Sequence, residues 1–375
     1  MERKMKRPQI LLIGLGGVGG YALEFLVRAE RIVDIVAADT DGDWGRRKVE
    51  TAQRGATLQG FFPRIEFVEL DLNAIDATAE LIDRLQPELI FNCATAQTWW
   101  VRRQYLAPEQ ADRLAAAGAG PWLATHLALA RKLMLAIQSC GWAGPVINSG
   151  FADASNTVLA RNGLEPTMGL GNIDLIVPGI RNRAAKVLDV PVDNVQVLAV
   201  MHHYHLSCFY QAAADTPPYF LRIMVGDRDV TGVLDAKELV HAAAKAGARG
   251  QALDPLVAAS GVKNALGLLY DSGILTHTNG PRGLPGGYPV RVRRSGVELF
   301  LPQGLSLEEA VRINEDAQRG DGIERIGDDG TVFYTDQAVQ IMKDVLDYDL
   351  KPLRFDEIDG RCDELVARFR ALTSK

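Results

Sequence analysis

Two groups of residues in this chain have types and spacings that could do chemistry. The first is Gly14, Gly16 and Gly19, with Gly17 and Val18 between them, directly after the apolar run of residues 10–13. In a strand, turn and helix unit the first glycine permits the tight turn and the second lets backbone approach a pyrophosphate. The third allows the helix to pack close to the strand. Free N–H groups at the helix start would then face the phosphate, where the helix dipole also favours negative charge. Asp39 closes a second apolar run, residues 32–38, twenty residues beyond Gly19. A carboxylate there can accept both ribose hydroxyls of a dinucleotide, whereas a 2′-phosphate would meet like charge, so the pattern favours NAD over NADP. Arg46, Arg47 and Lys48, read as a loop, could neutralise such a phosphate; a solvated surface run is their plainer meaning.

The second group is Met201-His202-His203-Tyr204-His205, which holds three of the six histidines. On a strand covering residues 195–209, His203 and His205 point to one face and His202 and Tyr204 to the other. One pair would face a cleft between domains. Histidine there can give or take the proton that carbonyl or imine reduction needs at the atom opposite the hydride. Core histidines satisfied by backbone carbonyls are the bland alternative. An i, i+2 metal pair has no HExxH motif or acidic partner beside it, so no metal is expected. Asn148, Ser149, Asp153 and Asn156 follow a strand and could hold the nicotinamide amide or the substrate, or serve turn chemistry. The Gly/Pro stretch 277–287 carries His277 and Arg282, a guanidinium suited to a carboxylate, in either a lid or a connection. Asp71, at a strand end, could accept from an adenine amino group or cap the next helix, and Ala94 lies among small residues that leave room for a cofactor. Trp99 and Trp100, beside Arg102 and Arg103, could line a pocket or an oligomer interface. His126 reads as a core residue of an apolar helix.

These residues need a frame. A chain of 375 residues predicts about two domains, and 47% hydrophobic residues supply a sizeable core. The net charge of −6 gives no sign of a nucleic-acid or anionic-membrane partner. Four scattered cysteines without a CxxC pair suggest neither a disulfide framework nor a zinc site, which fits a cytoplasmic protein. The apolar run after the basic residues 1–7 is too short for a signal peptide or a membrane span.

Strands over 64–72, 87–93 and 145–148 alternate with helices over 78–85 and 108–140, the latter broken at Gly118-Ala119-Gly120. This predicts an α/β fold: a doubly wound parallel Rossmann sheet over residues 1–150, with ligands beyond the carboxyl ends of its strands. Residues 151–335 read as a substrate-binding α+β domain. It includes a helix over 173–188, a hairpin of 288–293 with 297–301, and a capping box at Ser306 and Glu309. Amphipathic helices over 336–346 and 356–371 are expected to return to the first domain.

The glycine motif, the Ala38-Asp39 strand end and Leu89-Ile90-Phe91-Asn92-Cys93-Ala94 together resemble the saccharopine dehydrogenase-like group of NAD(P)-binding oxidoreductases. That resemblance covers about the first 150 residues. It implies a Rossmann domain, an inserted substrate domain with a mixed sheet, C-terminal helices completing the first domain, and amino-acid, imine or keto-acid substrates. The expectation is an NAD-dependent dehydrogenase or reductase of a small polar substrate, assembled as a homodimer. An enzyme that uses bound NAD with only transient oxidation of its substrate, or a non-catalytic dinucleotide sensor, are the alternatives.

Overall fold

A computed structural model describes residues 7–30, 33–98, 100–211 and 213–373, the Arg102 side chain excepted. Ile32, Trp99, the Arg102 side chain and most of the basic residues 1–7 therefore lie outside the described residues. The chain begins β1 (Gln9–Ile13), α1 (Gly17–Leu26), β2 (Asp34–Asp39), α2 (Gly42–Leu58), β3 (Arg64–Glu69), α3 (Ile75–Leu85) and β4 (Leu89–Asn92). Short helices α4 (Val101–Tyr105) and α5 (Pro108–Ala115) lead to α6 (Leu123–Cys140) and β5 (Val146–Asn148). All five strands are parallel, in the order β3-β2-β1-β4-β5. The strand order reverses between β1 and β4, and the crevice at such a switch point is where open α/β sheets bind ligands.

The pleat sorts the core into two layers. Ile10 and Leu12 point to one face of the sheet and Leu11 and Ile13 to the other, each within its own apolar cluster. Arg46, Arg47 and Lys48 are in α2 and not in a loop. Asp41 caps that helix through a bond from Trp44 N at 2.9 Å, so the chain turns helical before the basic run begins. Arg46 pairs with Glu69 at 3.6 Å, and Lys48 lies 4.6 Å from the Trp44 ring.

The second half runs α7 (Ala152–Arg161), α8 (Ile173–Leu188), β6 (Val195–Val200), α9 (His203–Gln211), β7 (Phe220–Val225), β8 (Arg228–Asp229), α10 (Ala236–Ala246) and α11 (Asp254–Leu269). Then follow β9 (Leu275–Asn279), β10 (Gly287–Arg293), β11 (Gly296–Leu299), α12 (Leu307–Gln318), β12 (Ile323–Ile326), β13 (Val332–Tyr334), α13 (Asp336–Leu346) and α14 (Ile358–Thr373). Strands β6-β7-β8 and β9-β10-β11 make two antiparallel sheets. The two sheets meet at an isolated antiparallel bridge between Met201, just past β6, and Gly287, the first residue of the central strand β10. The β10–β11 hairpin turns at Arg294-Ser295, with Arg293 paired to Gly296, and Ser306 Oγ caps α12 by accepting from Glu309 N at 3.1 Å.

Two helices from the second half complete the sheet's covering layers. Ala258, Val262 and Ala265 of α11 join Leu23 and Leu26 of α1 in one layer. Ile358 and Cys362 of α14 join Leu127 and Ala130 of α6 in the other. Among the described residues no helix is long and apolar enough to cross a membrane.

Candidate functional site

The glycine loop starts where β1 ends. Gly14 has a left-handed backbone (φ +85°), its N–H bonds Ala38 O at 2.8 Å, and a Cβ there would sit 2.7 Å from Ala94 N. Gly19 lies so close to Gly14 O that a Cβ would overlap it, whereas a Cβ on Gly16 would meet nothing within 4 Å. The loop is therefore packed shut beneath and open above. Gly16 caps α1 without a side-chain bond, and the first helical bond runs from Gly20 N to Gly16 O at 2.9 Å. The N–H groups of Gly17, Val18 and Gly19 are thus outside the helical ladder, as an anion seat requires. These residues fit a dinucleotide pyrophosphate.

Asp39 stands beside that seat. Its Oδ2 accepts from Leu15 N at 2.6 Å and its Oδ1 from Asp41 N at 3.0 Å. Each oxygen keeps a lone pair for a ribose hydroxyl. Asp71 instead accepts from both nitrogens of Asn73, at 2.8 and 2.9 Å, in an exposed turn ahead of α3. Ala94 N donates to Asn92 Oδ1 at 3.1 Å, which fixes the small-residue segment against Gly14. Burial pushes the adjacent Cys93 thiol up to about 12 against the lowering effect of a bond to Ser149, so it is inert as a nucleophile.

The same rim carries a buried polar frame. Asn92 Nδ2 donates to Asn148 Oδ1 at 3.1 Å, and Asn148 Nδ2 to Asn156 Oδ1 at 2.9 Å. Asn156 Nδ2 in turn donates to Gly280 O at 3.1 Å. Both Asn148 and Asn156 are fully buried. Their amides join β4, β5, α7 and the β9–β10 connection into one frame.

Strand β6 stops at Val200, and the histidines are not on a strand. His203 opens α9 because its N–H donates to Asp153 Oδ1 at 2.9 Å, which turns the chain. Asp153 is fully buried and also accepts from Asn279 Nδ2 at 2.6 Å and from Asn172 Nδ2. The strand-face pairing of His203 with His205 therefore does not occur. His205 is buried, takes His202 N–H on Nδ1 at 2.9 Å and meets Pro218 O through Nε2; burial, then His202, push it down to about 4. It is spent in the core. Tyr204 packs its ring on Gly320, and burial pushes its hydroxyl up.

His203 and His202 converge on a residue that the sequence reading did not single out. Asp321, buried between α12 and β12, has its Oδ2 2.8 Å from His203 Nδ1 and 3.3 Å from His202 Nδ1. Its Oδ1 takes Ala119 N–H at 3.3 Å. Burial alone would raise its pKa. The charge of His203 and the bonds from both histidines win, and hold the carboxyl well below the usual range. His202 is fully buried, whereas 31% of the His203 side chain is exposed. Phe151, reached three residues beyond β5, sets its ring edgewise 5.2 Å from His203 and 6.4 Å from His126. The rim of the sheet thus runs from Gly14 through Ala94, Asn92, Asn148 and Phe151 to His203. A carboxylate on Nδ1 fixes the tautomer and orientation of an imidazole whose Nε2 can then exchange a proton.

The glycine break in residues 118–120 was the available signal for Asp321. A Cβ on Gly118 would overlap the Asp321 backbone, and one on Gly120 would crowd Asp321 O. His277 and Arg282 lie elsewhere. His277 is buried in β9 with Nε2 accepting from Ala199 N at 3.1 Å, and burial pushes it down to about 4. Arg282 is 70% exposed, 3.9 Å from Glu165. Its replacement by Ala should leave stability within about 0.5 kcal/mol and turnover unchanged. A loss of turnover in that variant would return Arg282 to the site.

Neither a family model nor a curated protein sequence matches the chain. Solved structures do. A lactate dehydrogenase from a Medee basin deep-sea metagenome superposes with a TM-score of 0.58 at 13% identity, over 84% of this chain and 97% of that one. The chain has the fold of the lactate and malate dehydrogenases. Malate dehydrogenase of Plasmodium falciparum gives 0.56 at 16% identity over 84% and 97% of the two chains. Lactate dehydrogenase of Eimeria maxima, solved with NADH and oxamate, gives 0.55 at 16% over 83% and 91%. The lactate/malate dehydrogenase fold thus spans both halves of this chain. At these identities it is the architecture that is shared.

Proposed function

We propose that the chain is an NAD-dependent oxidoreductase of a small polar substrate carrying a hydroxyl or carbonyl carbon. The observation that carries this reading is that one sheet rim holds both an open glycine loop flanked by Asp39 and the His203–Asp321 pair. The Eimeria enzyme's NADH and oxamate, a keto-acid analogue, support a hydroxy or keto acid. The resemblance of the first 150 residues to the saccharopine dehydrogenase-like group supports the same coarse chemistry, with amino acids and imines as further substrates to screen.

Bound NAD would supply the hydride acceptor, and NADH the donor. Asp39 would accept hydrogen bonds from the ribose hydroxyls, and the N–H groups of Gly17 and Val18 would hold phosphate. His203 takes the hydroxyl proton at Nε2 as the substrate carbon is oxidised, and returns it in the reverse direction. Asp321 holds Nδ1 and stabilises the charged ring. Phe151 walls the imidazole and limits water around it.

The test is a fluorescence titration with NADH, followed by a screen of hydroxy, keto and amino acids for hydride transfer. NADH binding with turnover of one of these classes is expected; no dinucleotide binding sinks the reading. Asp39→Ala should weaken NADH by about tenfold or more, the loss of a charged hydrogen-bond acceptor, and leave NADPH little changed. Equal losses for both would remove Asp39 from the selection of NAD.

A further inference from the structure

A second carboxylate stands at the phosphate seat. Asp254 is the first residue of α11, the helix that lies along α1 and covers its apolar face. A Cβ built on Gly17 would overlap Asp254 Oδ2, so this carboxylate rests against the first residue of α1. Asp254 is 6% exposed, and among the described residues no hydrogen bond or ion pair reaches it. It is a buried carboxyl aimed at a helix N-terminus that no side chain caps.

Every element packed on α11 leaves it unneutralised. On α1, Glu24 is paired with Arg28, and Tyr21 is exposed. On α8, Asp174 is taken by Lys263 of α11 itself, Arg181 by the carbonyls of Val192 and Asp193, and Arg183 by Gly179 O. Lys186, in the last turn of α8, makes no ion pair with it. On β10, Arg291 lies over Phe300, Arg293 lies against Gly273, and the Tyr288 hydroxyl donates to Pro285 O. Strand β4 and the single turn before α11 (Gly250–Leu253) carry no titratable side chain. Burial disfavours the charged form of the carboxyl, while the uncapped N-terminus of α1 that it faces favours it.

A pyrophosphate brought to the N–H groups of Gly17 and Val18 would therefore meet the Asp254 carboxylate when it is ionised, and the cation that reaches this turn of α1, Lys48 with its Nζ beside Gly20, makes no ion pair with it. We propose that Asp254 is a proton-linked gate on the phosphate seat: the dinucleotide binds with this carboxyl protonated, so each binding event takes up one proton there. Helix α11 thereby reports the protonation of its first residue directly to the cofactor loop. The inference rests on the dinucleotide reading above and adds to it a residue that sets cofactor affinity.

The sign follows from linkage. The bound state holds one more proton at Asp254 than the free protein, so affinity falls as pH rises above the free protein's ionisation of that carboxyl. The experiment is calorimetric titration of the full chain with NADH between pH 6 and 9, in two buffers of different ionisation enthalpy, for the parent and for Asp254→Asn. The parent is expected to take up about one proton and to lose about tenfold in affinity per pH unit in the upper range. Asp254→Asn should bind about tenfold or more tighter at pH 8, with a flat profile and about one proton fewer taken up than the parent. That difference removes any contribution from His203, which both proteins share. Thermal melting of Asp254→Asn and Asp254→Ser checks that each is folded. Equal affinities and equal proton counts in parent and variants would overturn the gate while leaving the dinucleotide reading intact. If neither parent nor variant binds NADH at any pH, the dinucleotide reading falls and the gate with it.

Discussion

His203→Asn is expected to lower turnover by about 10²–10⁴-fold, the contribution of a positioned acid–base group, and to leave NADH affinity unchanged. Asparagine keeps an N–H that can face Asp321 Oδ2, so the 2.8 Å contact survives in kind. It has no second protonable atom, so the proton exchanged at Nε2 has no acceptor. Binding and chemistry separate because the glycine loop and His203 stand at different points of the rim. The pH profile gives a second reading. With the parent, oxidation should rise with pH as the ring becomes able to accept a proton, and reduction should fall. Asp321→Asn should move both inflections to lower pH, since the carboxylate that favours the charged ring is gone. Rapid-mixing kinetics in both directions measures this, and full turnover in His203→Asn would remove His203 from the chemistry.

Asp153→Ala should be among the most destabilising single changes in the chain, by about 3 kcal/mol or more. The buried carboxylate is the common acceptor for His203 N, Asn279 Nδ2 and Asn172 Nδ2. Removing it strands three donors, of which Asn279 Nδ2 is fully buried and the other two are partly buried, at about 1–3 kcal/mol for each that is left unmade away from water. The midpoint of urea unfolding at constant slope measures the loss. A change under about 1 kcal/mol would show that the three donors find other partners. Because His203 N is one of them, the same variant should impair turnover in the folded fraction through misplacement of α9.

The two largest sequence signals were local ones. The glycine spacing and Asp39 could be read because a turn, a helix start and a strand end each impose a residue type at a fixed offset, and β1, α1 and β2 follow that register. The parallel sheet was legible for the same reason: its strands are short apolar runs with helices between them. The histidines were misplaced because residues 195–209 are apolar enough to continue as a strand. What ends the strand is a hydrogen bond from His203 to Asp153, fifty residues away, and no local pattern encodes it. Asp321 was missed for a related reason. It becomes a partner of His203 through a separation of 118 residues, and its only local mark is its place between Gly320 and Gly322. The Gly and Pro around His277 and Arg282 fit either a lid or a connection, and the stretch joins two strands, β9 and β10. The role of α11 as the cover of α1 was likewise invisible from a window of sequence.

That last arrangement has a consequence for how the protein is made. When the ribosome has released β5, all five strands of the parallel sheet exist, but Leu23 and Leu26 of α1 still await Ala258, Val262 and Ala265 of α11. At about 5–20 residues per second the interval is on the order of ten seconds. Throughout it, the nascent first half displays an apolar helix face that its own residues cannot cover. A fragment cut after β5 would be held in that state permanently. The glycine loop is thus encoded at the start of the chain and covered only once about two-thirds of it has been made.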